Sequence, residues 1–283
     1  MSDNNKNTYL AKEDYEEPRC VLCMDAPGRD EVKVNRIDVG RMMSKLDEHL
    51  AYEDYENADR HLKFWLTEAQ FGHDSEGELI IRNEMMGLYR KMNNPEKTLE
   101  NAEKAVELAE KLSLEGTEIY GTTYLNAGTA LKFAGLPEKS LECFKKAVAA
   151  YERRLDAGDA KFAGLYNNMA LTLVDLKCFD EAFEYYNKAL SILPDIKNGK
   201  LDMASTYLNI ASLYEAKDGL EDGAQMINEN LEKAEACLND KGLEKNSYYY
   251  FVCDKCASGF KYYGWFMFAN ELSQRVREYH ERA

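Results

Sequence analysis

Asn126, Asn168 and Asn209 stand 42 and 41 residues apart, in Tyr124-Leu125-Asn126-Ala127-Gly128, Tyr166-Asn167-Asn168-Met169-Ala170 and Tyr207-Leu208-Asn209-Ile210-Ala211. A carboxamide carries two N–H donors and an oxygen acceptor on a short stem. One Asn can therefore pair with both the N–H and the C=O of an extended peptide. Each of the three lies inside an amphipathic helical pattern, where Asn is mildly unfavourable, so three at equivalent places ask for a shared reason. A ladder of amides gripping a peptide main chain supplies one. The competing reading is that these side chains bond between neighbouring helices or back to their own backbone.

Other chemistries find less support. Cys20-Val21-Leu22-Cys23 and Cys253-Asp254-Lys255-Cys256 are two Cys-x-x-Cys pairs, and four thiolates suit tetrahedral zinc. Equally, Cys253 and Cys256 read as small apolar packing residues of one helical face. Cys143, Cys178 and Cys237 look like single core or turn residues. The histidines, His49, His61, His73 and His280, are never spaced i, i+4, and no His-Glu-x-x-His, phosphate loop, nucleophile elbow or dinucleotide loop occurs. An enzyme is not expected, and neither is a cofactor.

The elements that must position the amides follow the same count. Ala105, Ala147 and Ala189 recur at steps of 42, and Glu96, Glu138 and Glu181 follow the breakers Asn93-Asn94-Pro95, Gly135-Leu136-Pro137 and Cys178-Phe179-Asp180. Each unit reads helix, tight turn, helix. Small residues fall where two helices must approach: Gly128, Ala170 and Ala211 in the first helix, Ser140, Ala182 and Ala224 at the start of the second. Leu131, Leu173, Tyr214, Phe144 and Tyr186 stand beside them at helical spacing. A two-helix unit of this length is the mark of an α-solenoid, in which each unit buries its apolar face only against the next.

This pattern resembles the tetratricopeptide repeat, whose usual period is roughly 34 residues. The longer unit is similar to the kinesin light chain variant, most closely at Tyr166-Asn167-Asn168-Met169-Ala170. The resemblance implies an all-α, right-handed solenoid of about six helix pairs whose first helices line a concave groove. It also implies that Asn126, Asn168 and Asn209 hold a peptide backbone, with Asn167 the first member of the Asn-Asn pair. Asn83 and Lys132 fall on the same surface, as do Asp175 and Glu215. Counting by the period, the rung positions before and after the three amides are Glu84 and Lys255, so the ladder stops at both ends. A set of Lys and Arg able to clamp a C-terminal carboxylate, as in chaperone-binding relatives, is not evident.

Six pairs fit the chain: 35–71, 76–112, 116–155, 160–193, 199–239, slightly lengthened around Asp218-Gly219, and 243–282. Residues 1–34 lack helical periodicity and are expected to be an extended or partly disordered arm, with 35–283 the repeat domain. The last unit is strongly aromatic, from Tyr248-Tyr249-Tyr250-Phe251 to Phe268, which suits a cap on the stack or, alternatively, a homodimer surface. With 36 basic and 51 acidic residues the formal charge is −15, which repels nucleic acid. No apolar run approaches the roughly 18 residues of a membrane span, and the opening Met-Ser-Asp-Asn-Asn-Lys lacks the apolar stretch of a signal peptide. The expectation is a cytoplasmic scaffold that binds a peptide or protein segment. Two other classes compete: a peptide-sensing regulator without its own DNA-binding domain, and a zinc-dependent interaction module.

Overall fold

A computed structural model describes residues 34–281. The arm expected over 1–34, Val34 excepted, and the pair Cys20 and Cys23 lie outside the described residues. Among those described there are twelve α-helices and no strand. They form six antiparallel pairs: α1 (Val39–Ala51) with α2 (Tyr55–Phe71), α3 (Ser75–Lys91) with α4 (Pro95–Lys111), α5 (Glu118–Phe133) with α6 (Pro137–Tyr151), α7 (Ala160–Asp175) with α8 (Phe179–Ile192), α9 (Gly199–Asp222) with α10 (Ala224–Leu238), and α11 (Ser247–Tyr262) with α12 (Phe266–His280).

The helix boundaries follow from local chemistry. Asp38, Asp54, Asp74 and Asn94 cap α1 to α4 by accepting a backbone N–H of the first turn, and Pro95 and Pro137 open α4 and α6 where no N–H is required. Helix α1 begins at Val39 instead of Asn35 because the preceding residues are tied elsewhere: Asn35 N–H donates to Gly72 O at 2.8 Å and Ile37 N–H to Asp74 Oδ2 at 2.9 Å. Five of the six pairs turn through three residues. The central one, Glu53, Asn93, Gly135, Lys177 or Gly264, has positive φ. This left-handed step reverses the chain and costs a non-glycine residue energy.

The fifth pair departs. Gly219 keeps the turn's register, with φ 83°, but three further residues precede α10. The shift moves the inward position of that helix from Ala224, which is only half-buried, to Ile227, followed at the usual spacing by Leu231 and Ala234.

Packing within a pair follows from side-chain size. In α6 the buried residues Ser140, Phe144, Ala147 and Tyr151 form one stripe. A Cβ on Gly128 would lie 2.5 Å from the Phe144 ring, so the missing side chain is what lets α5 and α6 close over that phenyl group. Burying a ring of this size stabilises by about 1.5–3 kcal/mol. Similar clusters run from Leu46 and Leu62 at one end to Phe260 and Leu272 at the other, so the core is a rod between two helix layers. Successive first helices touch: α3 meets α5, α5 meets α7, α7 meets α9 and α9 meets α11. Successive second helices are held further apart. That asymmetry bends the stack toward its first-helix layer.

Candidate functional site

The first-helix layer carries all the amides singled out from sequence. The packing of α3, α5, α7 and α9 sets them in a file across four helices, and each has its own hydrogen-bonding state.

Asn126 on α5 donates through Nδ2 to Asn83 Oδ1 on α3 at 2.8 Å. Asn83 in turn donates to Leu79 O of its own helix at 2.9 Å and to Thr123 Oγ1 on α5 at 3.1 Å. This is an interhelical network, so the competing reading holds for one N–H of Asn126. Asn168 donates only to Gly164 O, one turn back in α7, at 2.9 Å. The Asn209 side chain has no hydrogen-bond partner among the described residues. The oxygens of Asn126 and Asn168 likewise receive no donor, and neither is buried from solvent. Each of the three amides therefore keeps bonding capacity toward the surface.

Asn167 is turned differently. Its Nδ2 donates to Ala163 O at 3.2 Å, while its Oδ1 is buried without a donor. Asn83 and Asn126 on α3 and α5 stand in the same relative register as Asn167 and Asn209 on α7 and α9, yet only the first two are bonded. A buried acceptor left unpaired costs on the order of 1–3 kcal/mol. Lys132 is engaged as well, its Nζ lying 3.0 Å from Asp175 Oδ2 on α7.

The ends of the file differ in charge. Glu84 is half-buried, and its pKa is raised, first by that burial and then by the like charge of Asp47 on α1. Lys255 and Asn209 line one cavity of about 240 Å³ between α9 and α11. Sequence reasoning missed Thr123, which accepts from Asn83; a buried threonine one turn before the rung was the available signal. It also missed that α1 and α2 bring the His49 and His61 rings to 5.8 Å, beside a separate cavity of about 560 Å³ lined by Arg41, Phe64 and Trp65.

The thiols behave as packing groups. Cys253 and Cys256 are buried in the core of the last two pairs, and burial raises both pKa values, that of Cys256 to about 12. Such a site favours the protonated thiol, the opposite of what a zinc thiolate needs. Among the described residues no three His, Cys, Asp or Glu side chains are grouped to hold a metal ion.

Residues 78–153 match a tetratricopeptide-repeat family model, and residues 163–196 match a second model of that repeat. These segments are tetratricopeptide repeats. They cover α3 to α8, the part of the stack that carries Asn83, Asn126, Asn167 and Asn168. No curated protein matches the chain by sequence. Solved structures extend the repeat architecture further. BtubC (BKLC) from P. vanneervenii is similar at TM-score 0.61 and 19% identity, over 74% of this chain and 84% of that one. A Podosopora anserina putative kinesin light chain with nearly identical TPR-like repeats is similar at TM-score 0.50 and 16% identity, over 72% and 95%. The apo form of RapI is similar at TM-score 0.54 and 13% identity, over 87% and 85%. At these identities the likeness is one of fold: a tetratricopeptide-like helical solenoid.

Proposed function

We propose that this protein is a non-enzymatic interaction scaffold that holds an extended segment of a partner protein along its concave first-helix layer. The observation that carries the reading is the unspent hydrogen-bonding capacity of Asn126, Asn168 and Asn209, set in register on three consecutive first helices. Main-chain pairing to these amides supplies affinity that tolerates many sequences, and the spaces between repeats supply side-chain selection. Five free cysteines among the described residues suit a reducing, cytoplasmic setting. No described helix is long and apolar enough to cross a membrane, and the acidic balance disfavours nucleic acid as partner.

A photo-crosslinking residue placed at Gly164 tests this directly. That position is exposed, one turn from Asn168, and open to an added side chain. Capture from native extract should yield a partner segment crosslinked from position 164 and not from Glu184 on the exposed face of α8. Crosslinking from 184 alone would refute the assignment of the binding face.

The last pair favours a second contact, self-association. Tyr249, Phe260 and Phe268 are buried and seal the core, whereas Phe266 and Met267 are 59% and 88% exposed. An unpartnered apolar pair of this kind suits a homodimer surface. Light scattering on Met267→Asp and parent protein should show a dimer lost in the variant; a parent that stays monomeric at high concentration excludes this contact.

A further inference from the structure

The first pair breaks the repeat where the later pairs are charged. Counted from the starts of the second helices, Tyr55, Pro95, Pro137 and Phe179, the place of Phe64 is held by Lys104, Lys146 and Lys188, and that of Trp65 by the buried Ala105, Ala147 and Ala189. Two turns on, Phe71 stands where Lys111 and Arg153 follow. Phe64 and Phe71 are 57% and 81% exposed. On α2 the core side belongs to Ala58, Leu62 and Ala69, so Phe64 points nearly the opposite way, off the end of the stack. There Phe64 and Trp65, with Ser44 of α1, line the cavity of about 560 Å³. The end of a solenoid needs a polar face to stay in water. This one is aromatic and open.

The chain enters beside this surface. Asn35 and Ile37 are bonded to Gly72 and Asp74, just past the end of α2, and Val34 is the first described residue. The longest apolar run of the sequence before it is Cys20-Val21-Leu22-Cys23-Met24, flanked by Arg19 and Asp25. The eight residues between Asp25 and Val34 span up to roughly 26 Å, whereas Phe64 lies only about 12 Å along α2 from Gly72. Length therefore permits the run to reach the cavity. Charge favours it in one direction. The Arg41 guanidinium borders the cavity at the end where the chain enters and has no partner among the described residues, so Asp25 meets it first. At the far end stands Glu48, paired with Lys45 of its own helix, where Arg19 arrives.

We propose that residues 19–25 seat in the cavity between α1 and α2 of their own chain, with the apolar run against Phe64 and Trp65 and Asp25 on Arg41, and so cap the first pair in the place that a preceding repeat would take. Tethering gives the run a high effective concentration at the cavity, so a small apolar contact is enough to hold it. The Cys20 and Cys23 pair then serves as packing, as Cys253 and Cys256 do at the other end. The cap lies off the concave layer and does not compete with a bound segment there.

The test is iodoacetamide labelling of the full chain at pH 8, read residue by residue by mass spectrometry. Cys20 and Cys23 should label about tenfold more slowly in the parent than in Phe64→Asp. Arg41→Glu should speed their labelling too, and adding Asp25→Arg to Arg41→Glu should restore protection, a rescue that general loosening of the fold does not give. Exposed Cys178 should label alike in every variant while buried Cys256 stays protected, which separates release of the run from a failure to fold. A photo-crosslinking residue at Ser44, in a mixture of nitrogen-15 and unlabelled chains, identifies the occupant. Crosslinks should join Ser44 to residues 19–25 in products of a single isotope. Labelling of Cys20 and Cys23 unchanged by Phe64→Asp, failure of the charge-swap rescue, or mixed-isotope crosslinks that put a second copy in the cavity would overturn the proposal.

Discussion

Tyr186 on α8 is 0% exposed, and its hydroxyl is buried with no hydrogen-bond partner among the described residues. Burial, and then the nearby Asp175 charge, push its pKa far up, so the phenol stays neutral. A desolvated hydroxyl without a partner costs on the order of 1–3 kcal/mol, whereas a typical buried bond returns about 1 kcal/mol. Replacing Tyr186 by Phe removes the penalty and keeps the ring. The repeat offers its own precedent, because Phe144 fills the equivalent place 42 residues earlier. Tyr186→Phe should therefore be neutral or stabilising by roughly 1 kcal/mol. Tyr151 is the control: its hydroxyl lies 3.0 Å from Thr122 Oγ1, and Tyr151→Phe should cost about 0.5–1.5 kcal/mol. Urea unfolding of both variants beside the parent gives the comparison. If Tyr186→Phe loses as much stability as Tyr151→Phe, the hydroxyl has a partner in solution and the reasoning from its isolation fails.

Arg82 is 5% exposed and donates to Glu78 at 2.5 Å and to Asn101 at 3.1 Å, so Arg82→Met should cost on the order of 2–4 kcal/mol by stranding both acceptors, read as a lower urea midpoint. Burial raises the Cys143 and Cys256 thiols to about 11 and about 12, above the roughly 8.5 of an unfolded chain. The neutral native thiols contribute fully below that unfolded value, and stability should fall as pH rises from about 8.5 through 11 to 12; a urea midpoint unchanged between pH 7 and 10 would contradict this. Iodoacetamide at pH 8 should label exposed Cys178 well before Cys256. Protein treated with a chelator should keep its melting temperature if the thiols only pack; loss of bound zinc together with stability would reverse that expectation.

The period and the helix pairs were legible because packing enforces them. Ala147 and Ala189 recur where two helices must close on a ring, and Pro95 and Pro137 mark helix starts by what their nitrogen lacks. Register failed where three extra residues follow Gly219: the lengthening around Asp218-Gly219 was legible, but its effect on the inward face, which moves from Ala224 to Ile227 and Ala234, was not. The amides were harder to read. Spacing puts Asn83, Asn126, Asn167 and Asn168 on one layer, but it does not say which N–H finds a neighbour. That depends on interhelical distances near 3 Å, such as the Asn126 to Asn83 bond, which periodicity cannot resolve. Lys132 looked available for the same reason and is paired with Asp175. Lys255 was legible as a rung position, whereas the cavity it shares with Asn209 between α9 and α11 was not.

The measurement that bears most directly on the amide file is the affinity of the captured partner segment for Asn168→Ala, taken together with unfolding of the same preparation. Asn168 is the middle rung, and its side chain's only hydrogen bond among the described residues is the one-turn return to Gly164 O. Truncation should leave stability nearly unchanged, the better helix propensity of Ala offsetting that bond to within about 0.5 kcal/mol. Affinity should drop by about 1–3 kcal/mol, roughly five- to a hundredfold, as the segment's main-chain groups lose their partner. Unchanged affinity, whatever the stability, would contradict a binding role for the file and leave the asparagines as a packing feature of the repeats.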